Sequence, residues 1–220
     1  MIYCSDYVSE KDMNDVDLAR GEVEFIHSDK AGIASDFFCM SDKISVIGMA
    51  GEDIDPYIIA NDKREIKDRF PEYCPKNIIR KPRFGRDSLG VEVTGGDDRE
   101  ILEEMVEGRE VSVLVFNVDG KLTSLSMEVL FDGGICTAEI KDNDMERFKD
   151  VRANDEESIA KFLYQKMGWK GRGVRFDFRG RKLLDVNAFG SLGLRGWNYN
   201  CCAVNGISYA EYLSMTFGGR

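Results

Sequence analysis

Three residues, Glu128, Glu139 and Lys141, combine types and spacing that suit metal-assisted phosphodiester chemistry. Mg²⁺ takes carboxylate oxygens and keeps several waters, one of which can become a nucleophile, and a lysine beside it can orient that water or offset phosphate charge. The turns of "EVSVLVFNVDGKLTSLSMEVLFDGGICTAEIK" would bring the two acids together. A two-residue loop at Gly133-Gly134 opposes Phe131 with Cys136, Val129 with Ala138 and Met127 with Ile140, a wholly apolar face. The other face then opposes Glu128 with Glu139 and Ser126 with Lys141. Facing glutamates repel by about 0.2–1 kcal/mol unless a cation intervenes. A structural reading stands beside the chemical one, with Lys141 bridging two glutamates on a polar sheet face.

The same segment carries a second tight turn, Asp119-Gly120, which pairs Val115 with Ser124 and Val113 with Ser126. The intervening Leu114 and Phe116 are apolar too, and a strand apolar on both sides needs cover on both sides. Around this three-stranded meander (about 110–141) the pattern predicts a helix over 97–107, from "TGGDDREILEEMVEG", and another over 155–167, from "DEESIAKFLYQKM". A β-hairpin follows at about 173–187. The chain is therefore expected to be α+β, with a mixed sheet flanked by helices.

The order helix, three strands, helix, strand over residues 97–179 resembles the core of the restriction-endonuclease-like superfamily. That resemblance implies an acid on the second strand and an acid-x-lysine on the third as metal holders. Glu128, Glu139 and Lys141 would match, Glu139 and Lys141 being catalytic and Glu128 and Glu139 metal-binding. A further acid from the first helix would be Glu103 or Glu104. The implied activity is a Mg-dependent nuclease or phosphodiesterase.

The preceding residues read as an acidic α/β region, giving a division into 1–95 and 96–220, or one compact domain. Strand patterns occur at 21–27, 43–50, 77–84 and 89–93. A helix with Asp55 as N-cap and Pro56 in its first turn runs toward Pro71, with Ile58, Ile59, Ile66 and Phe70 on one face. "GMAGED" reads as a turn, and "GSLGLRG" is a lone glycine-rich stretch.

Charge is distributed unevenly along the chain, whose net charge is −10. Residues 161–195 carry +7 and residues 1–160 carry −17. The basic segment suggests nucleic-acid contact, and the acidic region suggests a protein partner. Two functions compete on these grounds: a nucleic-acid-processing or nucleic-acid-associated protein, and a non-catalytic acidic interaction or inhibitor protein. The six cysteines lack paired metal-ligand spacing and read as free thiols of a reducing compartment, while one histidine leaves little for a Ser/His/Asp site. Neither a signal peptide nor a run of eighteen apolar residues is present, so a cytoplasmic protein without membrane attachment is expected.

The hairpin "VRFDFRGRKLLDV" alternates Val174, Phe176 and Phe178 with Arg175, Asp177 and Arg179. A three-residue loop, Arg179 to Arg181, opposes Phe176 with Leu184 and Arg175 with Asp185. Its tip leaves Arg179, Arg181 and Lys182 without a local partner, and these, with Arg172, are the expected phosphate-binding residues.

Overall fold

The computed structural model describes residues 2–5, 23–26, 46–49, 60, 62–75, 79–82, 100–103, 106–132, 136, 138–142, 145–169, 173–188 and 196–217. Its centre is a five-stranded antiparallel sheet of β6 (Glu110–Val118), β7 (Lys121–Leu130), β8 (Arg147–Asp150), β9 (Val174–Arg179) and β10 (Lys182–Asn187), in the order β10-β9-β6-β7-β8. Two small sheets precede it. β1 (Ile2–Ser5) lies between β2 (Val23–Ile26) and β3 (Val46–Met49), and β4 (Ile79–Pro82) pairs with β5 (Glu100–Glu103). The chain is thus α+β, with helices on both faces of its main sheet.

β6 explains the two-sided cover. Val111, Val113 and Val115 join Val174, Phe176 and Phe178 in one core, against Ala160, Leu163 and Tyr164 of α3 (Asn154–Lys166). Leu114 and Phe116 point the other way, into a second core with Met127, Trp197, Cys201 and Tyr212. The last three belong to α4 (Trp197–Val204) and α5 (Tyr209–Phe217). Each large side chain buried this way contributes roughly 1.5–3 kcal/mol. The serines opposite the valines are accommodated by α3, whose Glu157 accepts from Ser124 and Ser126 at 2.6 and 2.7 Å.

The Asp119-Gly120 turn sets the expected register, Val115 opposite Ser124 and Val113 opposite Ser126. Both turn residues have positive φ, 50° and 78°, as the tightest hairpins require. The third meander strand differs from expectation. Residues 138–142 form a short helix, α2 (Ala138–Asp142), and β7 pairs instead with β8, Glu128 lying opposite Lys149. Lys149 neutralises Glu128 at 3.1 Å, which the Glu128/Glu139 register could not do. The expected helix over 97–107 is likewise corrected, since Glu100–Glu103 is a strand whose groups are taken by β4.

Asp62, not Asp55, caps the described part of α1 (Lys63–Arg69), accepting from the Arg64 and Glu65 amides at 3.0 and 3.3 Å. Asp55, Ile58 and Ile59 lie outside the described residues, as does the strand pattern at 89–93. Ile66 is buried, and Phe70 packs against the same core. The segment after α1 borders β10, where the Leu183 amide donates to the Tyr73 carbonyl at 2.7 Å.

The β9–β10 hairpin closes through two residues, Gly180 and Arg181, with φ of 51° and 68°. Its register then shifts between Leu183 and Asp185, so that Val186 opposes Phe176 and Asp185 opposes Asp177. Gly180 is pressed against the backbone, and a Cβ there would lie 2.5 Å from the Glu107 carbonyl oxygen. Gly180→Ala combines that clash with a left-handed backbone and should cost roughly 1–3 kcal/mol in urea unfolding. A loss below about 0.5 kcal/mol would show that the turn relaxes freely.

Candidate functional site

The face of the main sheet under α4 is divided. Leu114, Phe116 and Met127 are apolar, but toward the hairpin tip the same face carries a buried polar row. Strand pairing sets it out, with Glu110 opposite Arg179, Ser112 opposite Asp177 and Leu114 opposite Arg175.

Asp177 is its centre. It accepts from Ser112 Oγ (2.6 Å), Arg175 Nε (2.9 Å), Arg175 Nη2 (3.0 Å) and Asn187 Nδ2 (3.0 Å). The two-nitrogen fork of Arg175 gives geometric specificity as well as charge. Arg175 also donates to Asn198 Oδ1 at 3.3 Å and stacks over the Trp197 ring, 5.0 Å from its centroid. Lys141, from α2, lies 4.8 Å from the same centroid. The indole N–H donates to Glu146 Oε1 at 3.0 Å.

At the tip end, Arg179 Nη2 meets Glu110 Oε2 at 2.8 Å, with both side chains about 10% exposed. Burial raises the Glu110 pKa, while the charges of Arg179 and Lys141 oppose that rise. This pair opens onto a cleft of about 430 Å³ walled by Val106, Val129, Leu130 and Phe131, with Arg109 and Arg147 also on its lining. The Arg179 guanidinium lies 5.4 Å from the Phe131 centroid.

The expected site residues are redistributed. Glu139 is exposed on α2, while Glu128 lines the cleft and pairs with Lys149. Lys141 reaches the polar row through Trp197 and through its charge on Glu110. The basic turn is not partnerless. Arg179 holds Glu110, Arg181 meets Asp155 at 2.5 Å, and Lys182 donates to the Glu72 carbonyl at 2.9 Å. Glu104 and Arg172 lie outside the described residues. The expected Arg175–Asp185 cross-strand pair is replaced, because the register shift sets Asn187 opposite Arg175 and Asp185 opposite Asp177.

Sequence reasoning passed over Glu110, Ser112, Asn187, Trp197 and Asn198. A signal existed in the alternation of Arg175-x-Asp177 against Asp185-x-Asn187 on paired strands. Among the described residues, no group of three or more His, Cys, Asp or Glu could hold a metal ion. Cys74, Cys136, Cys201 and Cys202 are buried free thiols. Burial pushes Cys136 and Cys202 up to about 12, which disfavours the thiolate a nucleophile needs. No helix among the described residues is long and apolar enough to cross a membrane.

No family model matches the chain, and no curated protein matches its sequence. Solved structures do match its fold. D-alanine–D-alanine ligase from Bacillus anthracis, complexed with ATP, superposes with a TM-score of 0.60 at 13% identity, covering 96% of this chain and 94% of that one. D-alanyl-alanine synthetase A from Vibrio cholerae gives 0.56 at 18% identity, over 73% of this chain and 65% of that one. At such low identity the likeness is one of fold, which this chain shares with these two proteins. These likenesses overturn the restriction-endonuclease resemblance, and with it the nuclease and nucleic-acid-processing reading.

Two stability experiments follow from the polar row. Asp177→Ala strands the Arg175 guanidinium under α4 and should cost about 3–5 kcal/mol in urea unfolding, whereas Asp177→Asn, which keeps the shape, should cost less. The raised Glu110 pKa has a definite sign. Between its ordinary value of 4.5 and the folded value, the native state binds the extra proton, so stability falls as pH rises through that window. The unfolding free energy of wild type minus that of Glu110→Gln should therefore be flat below pH 4.5 and decline above it.

Proposed function

We propose that the chain binds ATP with Mg²⁺ along the cleft and the adjoining polar row, and spends it on joining a carboxylate to an amine. The observation that carries this reading is the buried row of alternating charge beside a cleft of about 430 Å³, on a fold shared with a ligase complexed with ATP. A cleft of that size suits a small molecule or a cofactor. Val106, Val129, Leu130 and Phe131 offer an apolar wall for a base. Glu110 supplies a carboxylate that can accept from sugar hydroxyls. Arg175 and Lys141, both within about 5 Å of the Trp197 ring centroid, supply positive charge for phosphate oxygens.

The oxygen donors fit Mg²⁺. Asp185 opposes Asp177, and Asn187 hydrogen-bonds Asp177. One or two protein carboxylates suffice when phosphates complete the shell. Asp177 already accepts four hydrogen bonds, so it reaches a cation by giving one of them up. When bound, Mg²⁺ supplies charge neutralisation of the triphosphate. The residues of the row hold the phosphates in place and, lying under α4, keep the reacting groups from water.

Calorimetric titration tests the reading. Wild type should bind ATP with Mg²⁺ and much more weakly without it, and Asp177→Asn should weaken binding about tenfold or more, the worth of one charged hydrogen bond. Release of ADP when amino acids or short peptides are added would locate the carboxylate partner. Absence of ATP binding with and without Mg²⁺ would overturn the proposal.

A further inference from the structure

Glu110 and Arg179 stand directly opposite one another on β6 and β9, and both line the cleft. Opposite charges across two strands are ordinary on an exposed sheet face, but these two side chains are only about 10% exposed, where an ion pair gains little stability over packed apolar residues. The contact uses one half of the carboxylate. Arg179 Nη2 donates to Oε2 at 2.8 Å, and among the described residues no other side chain hydrogen-bonds Glu110. Oε1 thus keeps its accepting capacity on a residue that borders the cleft.

The guanidinium is held from two sides. Phe131 lies against it, 5.4 Å away at its ring centroid, and the hairpin tip is packed on the cleft wall so closely that a Cβ on Gly108 would lie 3.2 Å from the Gly180 Cα. A planar fork placed in this way loses little freedom per hydrogen bond formed. Charge matters as much as place. Burial pushes Glu110 toward its protonated form and Asp177 adds to that push, while Arg179 foremost and then Lys141 of α2 oppose it. Of the other charged groups on the cleft lining, Glu107 and Glu128 are negative and Arg109 and Arg147 positive. A protonated carboxyl would donate where the ionised one accepts.

We propose that Arg179 determines the sugar specificity of the cleft: by fixing Glu110 as an acceptor, it makes the site select a hydroxylated sugar over a deoxysugar. The inference rests on the nucleotide reading above and deepens it. Arg179 is a positioning residue, acting on the sugar through Glu110. Its signature is a loss confined to ligands that carry the hydroxyls. Removing the guanidinium leaves the apolar wall and the phosphate contacts as they were.

Calorimetric titration of the full chain with ATP and with 2′,3′-dideoxy-ATP, each with Mg²⁺, reads the selection. Wild type should bind ATP roughly tenfold or more tightly than the dideoxy nucleotide, because a site built to bond a hydroxyl rejects a ligand that lacks it. Arg179→Met should bring the two affinities within about twofold of each other, chiefly by weakening ATP. In that variant the pH of half-maximal ATP affinity should lie about one unit or more above wild type, since Glu110 has lost the foremost charge opposing its protonation. Arg179→Lys, which keeps the charge but not the fork, should retain a preference of about threefold or more. Arg179→Gln repeats the measurement should the methionine variant fold poorly. A preference that survives removal of the charge overturns the role of Arg179 alone. Equal affinities in wild type overturn the sugar contact of Glu110 and this inference, and leave nucleotide binding standing. No binding of ATP by wild type overturns the nucleotide reading and this inference together.

Discussion

The Arg175–Asp177 pair is the interaction on which the rest of the site depends. Both residues lie on one face of β9, two positions apart, and both are about nine-tenths buried in a sheet otherwise packed with valine, leucine and phenylalanine. An ion pair in such surroundings survives only if its remaining lone pairs and protons are answered. Here they are answered by residues from three other elements: Ser112 on β6, Asn187 on β10 and Asn198 on α4. The pair therefore ties the hairpin, the central strand and the C-terminal helices to one another, and the site cannot be formed before all three are in place.

Around that pair the sheet face divides its labour. The apolar half anchors α4 and α5 through Trp197, Cys201 and Tyr212, and the polar half carries the buried ion pairs of Arg175 and Arg179. Trp197 stands at the boundary. Its ring packs edge-on to Phe148 at 5.7 Å, while Arg175 and Lys141 lie against it and Glu146 takes its N–H. A residue that is apolar in body and polar at its tip is suited to such a seam.

Much of this architecture was legible in the residues. The Asp119-Gly120 dipeptide admits few turn types, and the register of β6 and β7 followed from it. The two-sided hydrophobicity of β6 foretold cover on both faces. The Gly133-Gly134 stretch misled because a tight turn there was satisfied equally well by an apolar pairing that the chain does not use. What decides between the alternatives is Lys149, sixteen residues farther on and invisible to local pattern. In the β9–β10 hairpin the faces of β9, Asp185 and Val186 were assigned correctly, but Leu183 rather than Leu184 joins the phenylalanines, and the partners of Arg175 and Phe176 were two residues out, one from the shorter turn and one from a bulge that alternation does not reveal. That slip concealed the site, by matching Arg175 with Asp185 instead of bringing Asp185 to Asp177.

The bulge between Leu183 and Asp185 also constrains how the chain can change its length. It contributes one extra residue to β10, and strand faces alternate with every residue. Removing Leu184 would restore unbroken pairing and leave Asp185 opposite Asp177 and Val186 opposite Phe176, because it is the one residue of β10 without a partner on β9. Paired insertions at the tip would preserve the phase. The bulge is accordingly one residue of slack in β10: a single deletion there keeps both faces, whereas a single change elsewhere in the strand would exchange them.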